Sequence, residues 1–150
     1  MSLSSIKDFL EPINIAHISN DEGYRDTQLG KHIKVNEGSL PDIIEADIVI
    51  IGAGECRGAG HALHGHTAAN AIRTALYDLY YWHAQVNVVD IGNVKIGQSI
   101  QDSYAALRTV ISELLLQNKK VVIIGGAHDL TLAQYHAYTS IPTLVNAVVV

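Results

Sequence analysis

With Cys56 as its one cysteine, the 150-residue chain cannot build an internal disulfide framework, and its composition fits a reducing compartment. No apolar run approaches the ~20 residues that a membrane-spanning helix needs. Met1 to Leu10 has neither the basic n-region nor the long apolar h-region of a signal peptide. A cytoplasmic protein with no membrane partner is expected. Basic residues are also few: 10 Lys and Arg stand against 15 Asp and Glu, giving a formal charge of -5 and a pI near 5.8. No Lys/Arg stripe is present, which argues against nucleic acid as a partner. Internal repeats, low-complexity tracts and domain linkers are absent as well.

At 48% hydrophobic and 17% charged residues, the chain can bury a core as a single α/β domain over residues 1–150. Three short β-branched runs, at residues 47–51, 86–90 and 120–124, are of the kind buried on both faces of a parallel sheet. Between them lie two helical patterns. The first covers residues 67–82 with Ile72, Leu76, Leu79 and Tyr80 on one stripe, and the second residues 100–117 with Tyr104, Leu107, Ile111 and Leu114. Asn118 offers a left-handed stop. The alternation implies a three-layer α/β/α fold with a parallel sheet, its first three strands in spatial order 2-1-3. Residues 145–150 read as a fourth strand. Residues 1–42 are polar and mixed, with turns at Asp21-Glu22-Gly23 and Asn36-Glu37-Gly38.

Chemistry is expected where the strands end. Gly125-Gly126-Ala127-His128-Asp129 follows the third strand, and two glycines allow a tight turn that sets His128 above the carboxyl edge of the sheet. The competing reading is a solvated turn histidine. The 2-1-3 order brings the loop Gly52-Ala53-Gly54-Glu55-Cys56-Arg57-Gly58 to the same crevice. Gly52 and Gly54 open like a dinucleotide fingerprint, but Arg57 stands where the third glycine belongs, and Asp90 is too distant for a ribose contact. Cys56, His61, His64 and His66 could in principle surround zinc, although their spacing matches no standard pair.

Several of these segments resemble the ureohydrolases, the family of arginase, agmatinase and formimidoylglutamase. Gly125 to Thr131 resembles the family's Gly-Gly-x-His strand end, Gly65 to Arg73 its Gly-Pro-x-Ala-Ile-Arg helix start, and Val89 to Val94 its Asp-x-Gly-Asp/Asn-Val strand end. Order and spacing agree from about Asp47 to Tyr138. The resemblance implies a partial arginase-like fold and hydrolysis of a guanidino or formimino C–N bond in a small-molecule substrate. It also implies two manganese ions in an intact member, with His128 as a metal ligand. Glu55 and Arg57, on a loop that helps line the family's substrate entrance, become candidate substrate contacts, with a surface ion pair as the alternative.

The departures carry their own expectations. Ala127 stands where active members usually have Asp, and Asp129 where they have Ser or Thr. The family's remaining ligands come from an Asp-x-His-x-Asp strand end and a later Asp-x-Asp, which this sequence does not contain. The chain is therefore read as the amino-terminal part of a longer ureohydrolase-like protein, inactive and without manganese by itself. The alternative is a catalytically degenerate relative that serves as a binding or scaffold protein. An uncovered parallel edge favours pairing, so a homo-oligomer is expected, with the third strand or residues 145–150 at the contact.

Overall fold

The computed structural model describes residues 5–19, 23–142 and 144–148. Along the chain the elements are β1 (Leu10–Glu11), α1 (Leu29–His32), β2 (Lys34–Val35), β3 (Ile48–Ala53), α2 (Thr67–Tyr77), β4 (Val88–Val94), α3 (Ile100–Leu116), β5 (Lys120–Ile124) and α4 (Thr131–Tyr138). Short 3-10 turns at Arg57–Ala59 and His128–Leu130 follow β3 and β5.

β3 lies between β4 and β5 and is parallel to both, which is the expected 2-1-3 order. Ile48 sits opposite Val88 on one side and Lys120 on the other. The segment that resisted assignment from sequence covers the outer edge of β4. There β1 pairs antiparallel with Asn93 and Val94, and β2 pairs parallel with Val89 and Asp90. These partners explain why β4 begins later than expected and runs on to Val94, beyond Asp90.

Two apolar clusters define the layers. On one face α3 and α4 bury Leu107, Val110, Ile111, Leu114, Ala133 and Ala137 against Val49, Ile51, Val89 and Ile91. On the other, α2 and the amino-terminal segment place Ala69, Tyr77, Ile13 and Ile33 against Ile50 and Ile124. α3 starts at a reciprocal capping box: Ser99 Oγ accepts from the Asp102 amide at 3.1 Å, and the Asp102 carboxylate accepts from the Ser99 amide at 2.9 Å. It ends as expected, with Asn118 at φ 56.

Four expectations are corrected. α2 stops at Tyr77, short of residue 82, because the chain that follows pairs with the amino-terminal segment. The Leu29 amide donates to the Leu79 carbonyl at 2.9 Å, and the Tyr81 amide to the Thr27 carbonyl at 2.7 Å. Its buried stripe is Ala69, Arg73 and Tyr77, whereas Ile72, Leu79 and Tyr80 are exposed. β5 is not buried on both faces, since Lys120 and Val122, which share one face, are exposed, Val122 at 41%; among the described residues it also has a strand neighbour on one side only. Residues 144–148 form no strand, and residues 149–150 lie outside the described residues. No described helix is long and apolar enough to cross a membrane.

Candidate functional site at the carboxyl edge of the sheet

Gly125 and Gly126 turn the chain sharply after β5, with φ of 82° and 74°, where side chains are disfavoured. A Cβ on Gly125 would lie 2.8 Å from the Ala53 carbonyl oxygen, so the turn is pressed against the end of β3. The Ala127 amide then donates to the Glu55 carbonyl at 3.0 Å, fastening the β5 turn to the loop after β3. The two loops that sequence order placed in one crevice are thus in contact. His128 opens the 3-10 turn, is exposed, and lines an open depression of about 260 Å³ with Gly126, Thr131 and Gln134.

Asp129 is tied more firmly than its neighbour. Its Oδ2 accepts from the Tyr104 hydroxyl of α3, and this bond, with burial second, pushes the Tyr104 pKa up to about 12. Asp129 Oδ1 is buried without a hydrogen-bond partner. Gly58 packs directly against both side chains, which joins the loop after β3 to the same clasp.

Glu55 and Arg57 face each other within that loop. Arg57 Nη2 donates to Glu55 Oε2 at 2.6 Å, with Glu55 buried and the Arg57 side chain 26% exposed. The guanidinium also donates to the carbonyls of Gly97 and Gln98, at 2.9 and 2.7 Å, and Ser103 Oγ donates to Glu55 Oε2 at 2.6 Å. Hydrogen bonds from Arg57, foremost, and Ser103 hold the Glu55 carboxyl at about 2, against the cost of its burial. Glu55 and most of the guanidinium are engaged within the protein, anchoring the loop to the segment that leads into α3.

Beneath the edge is a second polar cluster. Arg73 of α2 donates through Nε and Nη2 to the two oxygens of Asp90 at 2.8 and 3.0 Å, and through Nη1 to Asn93 Oδ1 at 2.7 Å. Tyr77, one helical turn on, donates its hydroxyl to Asp90 Oδ2 at 2.9 Å. All four side chains are buried. Residues 90 and 93 of a regular strand point to opposite faces. Here the β3–β4 register shifts between Ile50 and Gly52, and Gly92 takes φ 96°, so a bulge returns Asn93 to the face of Asp90. Gly52 leaves the room: a Cβ there would lie 2.9 Å from Arg73 Nη2 and collide with Asn93.

These contacts retire two sequence readings. Asp90 and Gly52 serve a buried structural cluster, which takes both away from the dinucleotide reading. Cys56 Sγ donates to the Ala62 carbonyl at 3.1 Å and His66 bonds Glu11, while His61 and His64 are exposed, so the zinc arrangement does not form. Sequence reading missed Tyr77, Asn93, Ser103 and Tyr104 as partners. The available signals were two polar residues inside an apolar strand and an Arg-Tyr pair spaced i, i+4 on the facing helix.

The architecture is that of a three-layer α/β protein whose loops of interest gather at the carboxyl edge of a parallel sheet. A model of the Arginase family matches residues 46–147. The chain belongs to the arginase family. Formiminoglutamase of Trypanosoma cruzi, in a crystal structure with Mn2+, superposes with a TM-score of 0.60 at 21% identity, covering 69% of this chain and 39% of that one. An arginase superfamily protein from the same organism gives 0.58 at 19%, over 69% and 41%. Agmatine ureohydrolase of Thermoplasma volcanium gives 0.55 at 17%, over 79% and 40%. The chain thus spans about two fifths of the length of these structures. Comparison with proteins of curated function gives no match.

Among the described residues no group of three or more His, Cys, Asp or Glu side chains could hold a metal ion. His128 is a single donor, and Asp129 beside it is engaged by Tyr104. The residues present do not by themselves fit a pair of manganese ions.

Proposed function

We propose that this chain forms the amino-terminal part of a ureohydrolase that cleaves a linear amidine, guanidino or formimino, in a small molecule. In that reaction water adds to the amidine carbon, the C–N bond to the substrate chain breaks, and the departing nitrogen takes up a proton. The observation that carries the reading is the placement of the Gly-Gly-x-His turn against the loop after β3, within an arginase-family match. Manganese belongs to this reading, since the Trypanosoma cruzi formiminoglutamase was crystallised with Mn2+. His128 would be one ligand and the others would come from outside this chain, so the 150 residues alone are inactive.

Glu55 and Arg57 then act on substrate by fixing the shape of the loop, and the exposed part of Arg57 is the portion that can reach a ligand. The same reading makes the protein a cytoplasmic homo-oligomer without nucleic-acid or membrane partners. A second reading, a binding or scaffold relative, is favoured by Asp129, whose carboxylate is committed to Tyr104 next to the one candidate ligand.

The test is release of urea or formamide from arginine, agmatine and formimidoylglutamate, with added manganese. The protein is isolated from its native source with its full mass determined. Manganese-dependent release supports the hydrolase; none from any of the three, with manganese bound or not, supports the scaffold. Tight stoichiometric manganese binding by the 150-residue chain, abolished by His128→Ala, would contradict the incomplete site.

A further inference from the structure

His66 is the residue before α2, and its side chain is only 10% exposed. Nε2 lies 2.6 Å from Glu11 Oε1, which ties α2 to β1 across the end of β4. Nδ1 is buried and has no hydrogen-bond partner. It faces Gly54, where a Cβ would come within 2.8 Å of it. That arrangement suits the neutral ring: Nε2–H donates to Glu11 and Nδ1 keeps a lone pair. A second proton would create a buried N–H donor with no acceptor, which costs the desolvation of that group.

We propose that His66 and Glu11 form an acid-released latch that holds β1 against the carboxyl end of β4. The charged groups that bear on the imidazole are Glu11 from β1 and Arg73 from α2; from the loop after β3 the residue against Nδ1 is Gly54, which carries no charge. Burial, foremost, and the Arg73 cation disfavour the imidazolium, while Glu11 favours it, and the balance lies below the ordinary histidine value. The sign follows. A histidine whose folded pKa is depressed costs nothing above its free value of about 6.5 and progressively favours the open form as pH falls below it. Glu11 is 40% exposed, so it can exchange the imidazole for water when the latch opens. What opens is β1, whose docking is reported by the Lys95 amide on the Phe9 carbonyl at 2.8 Å and the Ile13 amide on the Asn36 carbonyl at 2.8 Å.

Hydrogen exchange at the Lys95 and Ile13 amides tests this at pH 7.5 and 5.5, corrected for the intrinsic rate, with Ile50 and Val89 amides as controls for the sheet interior. Loss of protection at Lys95 and Ile13 alone is expected in acid. In His66→Gln, which keeps an amide donor toward Glu11 but cannot titrate, protection should persist at both pH values. Equal protection of the native chain at both pH values would overturn the latch, as would the same acid loss in the variant. If His66→Gln does not fold, Glu11→Gln decides by NMR titration. The His66 midpoint should move down relative to the native chain, and an unmoved or raised midpoint rejects the proposal.

Discussion

Arg73 and Asp90, 17 residues apart, form a two-point ion pair in which neither side chain is exposed to solvent. Such a pair is a net stabiliser only when every remaining donor and acceptor is satisfied, because each ion has given up its hydration. Asn93, Tyr77 and the backbone of Gly92 complete the set. Removing one partner strands the other charge in the core. Asp90→Ala and Arg73→Ala are each expected to cost about 3–5 kcal/mol in denaturant unfolding. The double variant should cost much less than the sum.

Gly92→Ala strikes the same cluster through the backbone. The residue sits at φ 96°, and an added Cβ would run into the Glu11 carbonyl. A loss of about 1–3 kcal/mol is expected, with exchange protection falling first along β1. A variant as stable as the native chain would show that the bulge relaxes freely.

Glu55 sets an acid limb. Its folded carboxyl titrates at about 2 against an ordinary value of 4.5, so its contribution is complete above 4.5 and is lost as pH falls toward 2. Glu55→Gln should lose stability at neutral pH and differ progressively less from the native chain across that window. The measurement is the unfolding midpoint at several pH values.

Tyr104 gives an alkaline counterpart. Held near 12 by Asp129, its hydroxyl should ionise later than an ordinary tyrosine in a spectroscopic titration, though before Tyr77, which burial and Asp90 push higher still. Tyr104→Phe removes that late step. Asp129→Asn should bring it back toward the ordinary value of 10. Stability from the bond is complete below 10 and fades as pH rises through 12.

His128→Ala, by contrast, is expected to change stability by no more than about 0.5 kcal/mol, since the side chain is exposed and packs in no core cluster. A larger loss would give His128 a structural role.

The strands, the order of β4, β3 and β5, the α3 stripe and the Asn118 stop were legible because apolar period and turn chemistry act locally. The α2 stripe was not. A pattern search discards arginine from a buried face, yet Arg73 is buried because Asp90 and Asn93 wait for it on a different element. The roles of Gly52 and Gly54 were equally hidden, since what each glycine makes room for, Asn93 and Arg73 for Gly52 and the Gly65 carbonyl and His66 for Gly54, arrives later in sequence. Of the candidate site, the meeting of two loops was readable from strand order. The Glu55–Arg57 ion pair was readable as the alternative to substrate contact, but the burial of Glu55 and the commitment of Asp129 to Tyr104 were not, because Ser103 and Tyr104 lie on α3, far along the chain.

The distances along the chain between contacts have a kinetic meaning. The Arg73–Asp90 pair closes a short loop, 17 residues, whereas the β3–β5 pairing, with Ile48 opposite Lys120, closes a far longer one, as does the flanking bond from Lys119 Nζ to the Ala46 carbonyl, 73 residues apart. Loop closure costs more entropy as the loop lengthens, and non-local pairing slows folding. The unit from β3 through α2 to β4 is therefore expected to close before β5 docks, leaving the turn that carries His128 as the last part of the edge to be put in place.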